Sequence, residues 1–118
     1  MNDRAARKQV LRRHFRQLRN AVEPAARRAM GQALRRSLGE APALREARRL
    51  GAYWAFDGEP DLQPLLATRA AAGVGIALPV LDDDGDGRGP CLRWRQWRPE
   101  QPMQPNRHGI PEPVAAPE

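Results

Sequence analysis

Lys8 and Arg12 stand four residues apart near the start of the chain, a spacing that puts both on one face of a helix. Two cations so placed could hold neighbouring oxygens of one phosphate chain, the Lys as a point charge and the Arg as a planar fork. Arg16 and Arg19 extend the same surface, so a solvated basic face is the plain alternative. A second candidate is the acidic turn Asp57-Gly58-Glu59-Pro60-Asp61, which follows an apolar run. A carboxylate there, as at Glu59, can accept hydrogen bonds from the N–H and NH₂ groups of a ring with a guanidine-like edge. Trp54, five residues earlier, could give such a ring an apolar wall. The alternative is a turn with Asp61 capping the next helix. Both can hold at once, with Asp61 capping and Glu59 binding.

Other groupings carry less chemistry. Asp82, Asp84, Asp86 and Gly87 imitate the start of a calcium loop, but its twelfth position is Arg93, where a bidentate Glu is required. Trp94 and Trp97 alternate with Arg93, Arg95 and Arg98, as in sites that stack nucleobases. An offset of three puts the two rings on opposite faces of a strand, which favours a packed strand with exposed arginines. Cys91 is the one cysteine and has neither His14 nor His108 near it in sequence, so it reads as a half-buried strand residue. No residue is assigned as catalytic or as a metal ligand.

The elements that must position these groups follow from periodicity. Residues 4–20 read as a helix, with Leu11, Phe15, Leu18 and Val22 as one apolar stripe. Pro24 opens a second helix, with Met30, Leu34 and Leu38 on its buried face and Gly39 as its stop. A short helical turn is expected over 43–46. The run LGAYWAF at 50–56 predicts a buried strand closed by Asp57-Gly58 and Pro60. A helix over 62–72 and a strand over 74–78 complete a βαβ unit, which implies a parallel pair and a right-handed crossover. Residues 82–90 read as a polar loop and 92–97 as an exposed or edge strand. Beyond Trp97 the prolines leave no regular element expected. The whole predicts a single α/β domain over 1–118. Its N-terminal helices pack on a mostly parallel, open, Rossmann-like three-layer sheet that is truncated on its C-terminal side. A basic helical region (1–47), the strand–helix–strand unit with its edge strand (48–98) and a Pro-rich segment (99–118) follow one another.

Composition bounds the function classes. The chain has 118 residues, 41% hydrophobic, enough for one small domain. No apolar run is long enough to span a membrane, and the charged start leads to no expectation of a secretory signal. A lone cysteine fits a reducing cytosol, so a cytoplasmic location is expected. The net charge of +6 is uneven: residues 1–50 hold thirteen Arg and one Lys against four acidic residues, and 51–118 hold six Arg against ten. Such a basic start attracts polyanions, which leaves a small Arg-rich nucleic-acid-binding module as the alternative function.

In order along the chain, these pieces resemble the 5-formyltetrahydrofolate cyclo-ligase family. The residues that carry the resemblance are Lys8-Gln9-Val10-Leu11-Arg12, Glu23-Pro24, and Glu59-Pro60-Asp61-Leu62 before Pro64-Leu65-Leu66. Ala77-Leu78-Pro79 and Trp94-Arg95-Gln96-Trp97 follow, and last comes NRHGIPEP at 106–113, the most diagnostic piece. Pro60 departs from the pattern, which usually has an aliphatic residue there. The resemblance implies conversion of 5-formyltetrahydrofolate to 5,10-methenyltetrahydrofolate with Mg²⁺ and ATP. The formyl oxygen attacks the γ-phosphate, and N10 then closes the ring as phosphate departs. It places Lys8 and Arg12 on ATP phosphates, Arg12 also within reach of the folate, and Trp54 and Glu59 in the folate site. It implies a monomer for the full-length family and makes nucleic acid an unexpected partner. The family's Gly-rich ATP loop, ending in Tyr-Tyr-Asp and supplying a magnesium ligand, is not found in the sequence. The expectation is therefore a chain inactive alone, prone to self-association through an open sheet edge.

Overall fold

The computed structural model describes residues 3–82 and 91–114. The polar loop around Asp84, Asp86 and Gly87 lies outside them. Helix α1 spans Asp3–Asn20, α2 Pro24–Glu40 and α3 Pro42–Glu46; strand β1 is Arg49–Gly51, α4 Gln63–Ala71, β2 Gly75–Asp82 and β3 Cys91–Trp97. Strands β4 (Met103–Pro105) and β5 (Pro111–Pro113) form a separate two-stranded sheet. The α/β class is as the sequence implies. β1 and β2 pair in parallel across the α4 crossover, and β3 adds to β2 antiparallel, giving a sheet of order β1-β2-β3.

Alternation along β2 builds the core. Ile76, Leu78 and Val80 point to one face and are buried, and Trp97, paired with Ile76, joins them. Leu66 of α4 closes this cluster, with Leu50, Ala52 and Trp54 packed around it. On the other face Trp94 remains 65% exposed, whereas Trp97 is 2% exposed, so the two rings do lie on opposite sides. The Trp94 indole reaches over β1: a Cβ on Gly51 would sit 3.1 Å from its Cη2.

Pro79 lies inside β2 rather than after it, and the register explains why. The Ala77 carbonyl accepts the Ala52 N–H at 3.0 Å, so Ala77, Pro79 and Leu81 turn their backbone polar groups toward the β1 side. β1 pairs no further than Ala77, so the missing N–H of Pro79 costs no ladder bond. On that same side the Leu81 N–H is taken by the Glu112 carboxylate at 2.6 Å.

Several expectations are corrected. The strand expected over 50–56 ends at Gly51, because the chain leaves the ladder after the Ala52 bond and Trp54 turns into the core. Gly39 does not end α2, which continues to Glu40. The stop is Pro42, which holds Ala41 in extended backbone (φ −68°, ψ 121°). The Pro-rich tail does contain regular structure, the β4–β5 hairpin. The α1 stripe is not buried, since Leu11, Phe15 and Leu18 are all more than half exposed, and Met30 of α2 is exposed too. Cys91 is exposed rather than half-buried.

Candidate functional site

The segment 52–61 leaves the C-terminal end of β1, the edge at which open α/β sheets hold ligands. Its centre is a tight turn: the Glu59 N–H bonds the Phe56 carbonyl at 3.2 Å, with Asp57 at φ 56° and Gly58 at φ 81°. Two positive φ values in succession are the pattern of a type I′ turn, for which Asp-Gly is a favoured pair. A short polar side chain tolerates the left-handed region, which is why Asp can precede the Gly.

This turn fixes Glu59. Its Oε1 accepts the Phe56 N–H at 3.0 Å, so the carboxylate folds back over its own turn and keeps acceptor capacity on both oxygens. Asp61 accepts the Gln63 N–H at 2.9 Å in a local turn just ahead of α4, whose N-cap is Leu62 rather than the Asp61 expected. Trp54 meets Trp97 edge to face, with centroids 6.0 Å apart. With Tyr53, Ala55, Asp61, Gln63 and Leu66 it lines a cleft of about 280 Å³. The Tyr53 hydroxyl donates to the Pro60 carbonyl at 2.9 Å. Burial raises the Tyr53 pKa above its ordinary value, and the charges of Glu59 and Asp61 push it the same way. The cleft therefore combines an aromatic wall with a negative field, a setting for N–H-rich rings and a poor one for phosphate.

Cations stand on a different element. Lys8 and Arg12 are exposed on α1 and engage no other described residue by hydrogen bond or ion pair. They do not line the Trp54 cleft. Arg16 and Arg19, on the same helical face, are committed instead: Arg16 Nε lies 2.5 Å and Arg19 Nη2 3.4 Å from the Asp57 carboxylate. Asn20 Nδ2 donates to the other carboxylate oxygen at 2.9 Å, and Arg19 Nε donates to the Asp57 carbonyl at 2.7 Å. The sequence implies a solvated face for Arg16 and Arg19 and a turn at Asp57-Gly58, but not the contact between them. The signal that could have found this contact is a basic helical face in a chain whose Asp57-Gly58 turn is acidic.

The segment 106–113 is a folded loop. Asn106 Oδ1 accepts the N–H groups of His108 (2.8 Å) and Ile110 (3.1 Å), and the Gly109 N–H bonds the Asn106 carbonyl. Gly109 turns at φ 80°, and Asn106 Nδ2 reaches Glu112 at 3.2 Å. The spacing of Asn, Gly and Glu in this motif is thus the spacing the loop needs, with Glu112 holding it to β2.

A larger cleft, about 370 Å³, lies at the opposite end of the sheet beside Gly73, Gly75 and Glu100. It sits at the N-terminal end of β2, away from the ligand edge of such sheets. Among the described residues no three His, Cys, Asp or Glu side chains gather to hold a metal. Nor is any helix there long and apolar enough to cross a membrane.

The chain is an α/β domain with an acidic, aromatic cleft at the strand ends and uncommitted cations on a separate helix. Residues 4–118 match the sequence profile of the 5-formyltetrahydrofolate cyclo-ligase family. The 5-formyltetrahydrofolate cyclo-ligase of Escherichia coli K12 is 33% identical over 99 residues, covering 84% of this chain and 53% of its own length. That of Escherichia coli O157:H7 aligns with the same identity and coverage. The NMR structure of Aquifex aeolicus 5,10-methenyltetrahydrofolate synthetase matches with a TM-score of 0.69. That match covers 93% of this chain and 53% of the other at 23% identity, a likeness of fold. The chain belongs to the 5-formyltetrahydrofolate cyclo-ligase family. It spans about half the length of the curated relatives it matches.

Proposed function

We propose that this chain carries the folate-recognising part and a phosphate-facing helix of an ATP-dependent 5-formyltetrahydrofolate cyclo-ligase acting in the cytoplasm. The observation that carries this reading is the separation of charge. The Trp54 cleft, lined by Asp61 and close to the Glu59 charge that acts on Tyr53, favours an N–H-rich ring, although Glu59 itself does not line it, and Lys8 and Arg12 present uncommitted positive charge on α1. In the reaction the formyl oxygen attacks the γ-phosphate and ADP leaves. N10 then attacks the activated carbon and phosphate departs, forming the methenyl bridge. Glu59 would accept the pterin's N–H donors, Trp54 would wall its ring, and Lys8 and Arg12 would neutralise phosphate oxygens. No residue of this chain is assigned to Mg²⁺. Turnover needs a phosphate-enclosing loop that none of the described elements provides, so the 118 residues alone bind ligand without catalysing, and the full family domain works as a monomer.

The test is a titration of this chain with 5-formyltetrahydrofolate, followed by tryptophan emission, beside an assay for ATP-dependent formation of the methenyl product. Saturable folate binding without turnover is expected. Robust ATP-dependent turnover would overturn the inactivity claim, and no folate binding would overturn the folate site.

A further inference from the structure

Three side chains of α1 converge on one residue. Arg16, Arg19 and Asn20 all donate to Asp57, and Arg19 adds a bond to the Asp57 carbonyl. The contact is closed from the other side as well. A Cβ on Gly58 would lie 2.7 Å from Asn20 Oδ1, so the end of α1 sits directly against the turn backbone. The Asn20 amide also donates to the Arg16 carbonyl, which fixes its orientation for the Asp57 bond. Yet no residue of α1 is buried. No α1 residue belongs to the apolar core, and polar contacts with Asp57 hold its C-terminal end.

The geometry points to Asp57 as a positioning residue, a latch that fixes the rotation of α1 so that Lys8 and Arg12 keep a set relation to the Glu59 turn. Lys8, Arg12 and Arg16 repeat at i, i+4 and i+8 and so lie along one helical face. At 1.5 Å rise per residue, Arg12 is about 6 Å and Lys8 about 12 Å up the axis from Arg16. Holding Arg16 and Arg19 therefore holds the azimuth of the two free cations. The far end of the same turn carries Glu59, two residues from Asp57, on a backbone locked by two positive φ values. One carboxylate thus couples the element bearing the cations to the element bearing the folate-side acceptor. The purpose given to the latch rests on the phosphate role proposed for Lys8 and Arg12; the latch itself does not.

Asp57→Gly is the informative variant, because Gly accepts φ 56° more readily than Asp and keeps the turn while removing the carboxylate. Amide hydrogen exchange of the whole 118-residue chain reads α1 without any ligand, and ATP and 5-formyltetrahydrofolate titrations read the two sites. Exchange over the C-terminal half of α1 is expected to rise at least tenfold in Asp57→Gly. Asp57→Asn, which keeps an acceptor for Asn20 but loses the charge facing Arg16 and Arg19, is expected to fall between. ATP binding should weaken at least fivefold while folate binding stays within twofold, a split that a merely structural role would not give. Unchanged α1 exchange in Asp57→Gly overturns the latch, whatever the ligands do. Altered α1 exchange in a chain whose unaltered form binds no ATP overturns the phosphate role, and with it the purpose assigned here.

Discussion

Glu112 Oε2 accepts the Leu81 N–H at 2.6 Å, joining the β4–β5 hairpin to the side of β2 that β1 leaves open. Glu112→Ala strips that part-buried N–H of its partner and frees Asn106 Nδ2 as well. Loss of about 1–3 kcal/mol in stability is expected by denaturant unfolding. Glu112→Gln retains an acceptor oxygen and should lose less. Equal loss in both variants would show that charge, not acceptance, is what matters.

Glycines at positive φ separate strain from crowding. Gly58 and Gly73 turn at φ 81° and 92°, but a Cβ on Gly73 meets nothing within 4 Å, whereas one on Gly58 meets Asn20 Oδ1 at 2.7 Å. Both Ala variants should destabilise, by roughly 1 kcal/mol or more from backbone strain. Gly58→Ala should cost more than Gly73→Ala by thermal or chemical denaturation.

The Asp57 latch should fail in acid. Hydrogen bonds from Asn20 and Arg16, with the nearby charge of Arg16 and Arg19, hold the Asp57 carboxyl below its ordinary value of 3.8. A depressed folded pKa means the stabilisation is complete above the ordinary value and lost as pH falls through the folded one. Asp57 is the titrating member of this cluster. Exchange of α1 amides should be flat with pH, after correction for intrinsic rates, down to about pH 4 and should rise below it. Asp57→Gly should abolish that rise.

Trp94 and Trp97 offer a direct check of the sheet faces. Trp97 lies in the core and Trp94 on the exposed face over Gly51. Trp94→Phe should remove most of the acrylamide-quenchable emission and shift the remainder to the blue. Unaltered quenching would place Trp94 inside.

Much of this architecture was legible in the sequence, for reasons that differ by element. The α1, α2 and α4 periodicities depend on local spacing, so their limits fell within two residues, and the apolar run 74–78 located β2 except for its continuation through Pro79 to Asp82. Pro79 could not be read as strand because its tolerance depends on where β1 stops, a non-local fact. The LGAYWAF run looked like a long strand because composition records burial, and Trp54 is packed against the core without being in the ladder. The β4–β5 hairpin was hidden by prolines, and only the Asn106 and Glu112 bonds reveal why the loop closes. The turn at 57–58 was legible from Asp-Gly, whereas the N-cap of α4 falls at Leu62, one residue beyond the Asp61 expected, because the first helical bond runs from the Leu66 N–H to the Leu62 carbonyl. The role of Asp57 was not legible, because it depends on how α1 meets a turn 37 residues away.

Lys8 and Arg12 should behave unlike their neighbours. Both are exposed and neither makes a hydrogen bond or ion pair with another described residue, so Lys8→Ala and Arg12→Ala should alter stability by no more than about 0.5 kcal/mol. ATP binding should still fall in each. If the basic face served nucleic acid instead, RNA or DNA would bind with an affinity falling steeply with salt. Absence of such binding at about 0.1 M salt is expected.

Folate binding by this chain and its Glu59→Gln and Trp54→Ala variants tests the central claim most directly, read by tryptophan emission or calorimetry. The account predicts saturable binding of 5-formyltetrahydrofolate, weakened about tenfold by loss of the Glu59 charge (about 1.4 kcal/mol) and further by loss of the Trp54 wall. Binding that neither variant changes would contradict it.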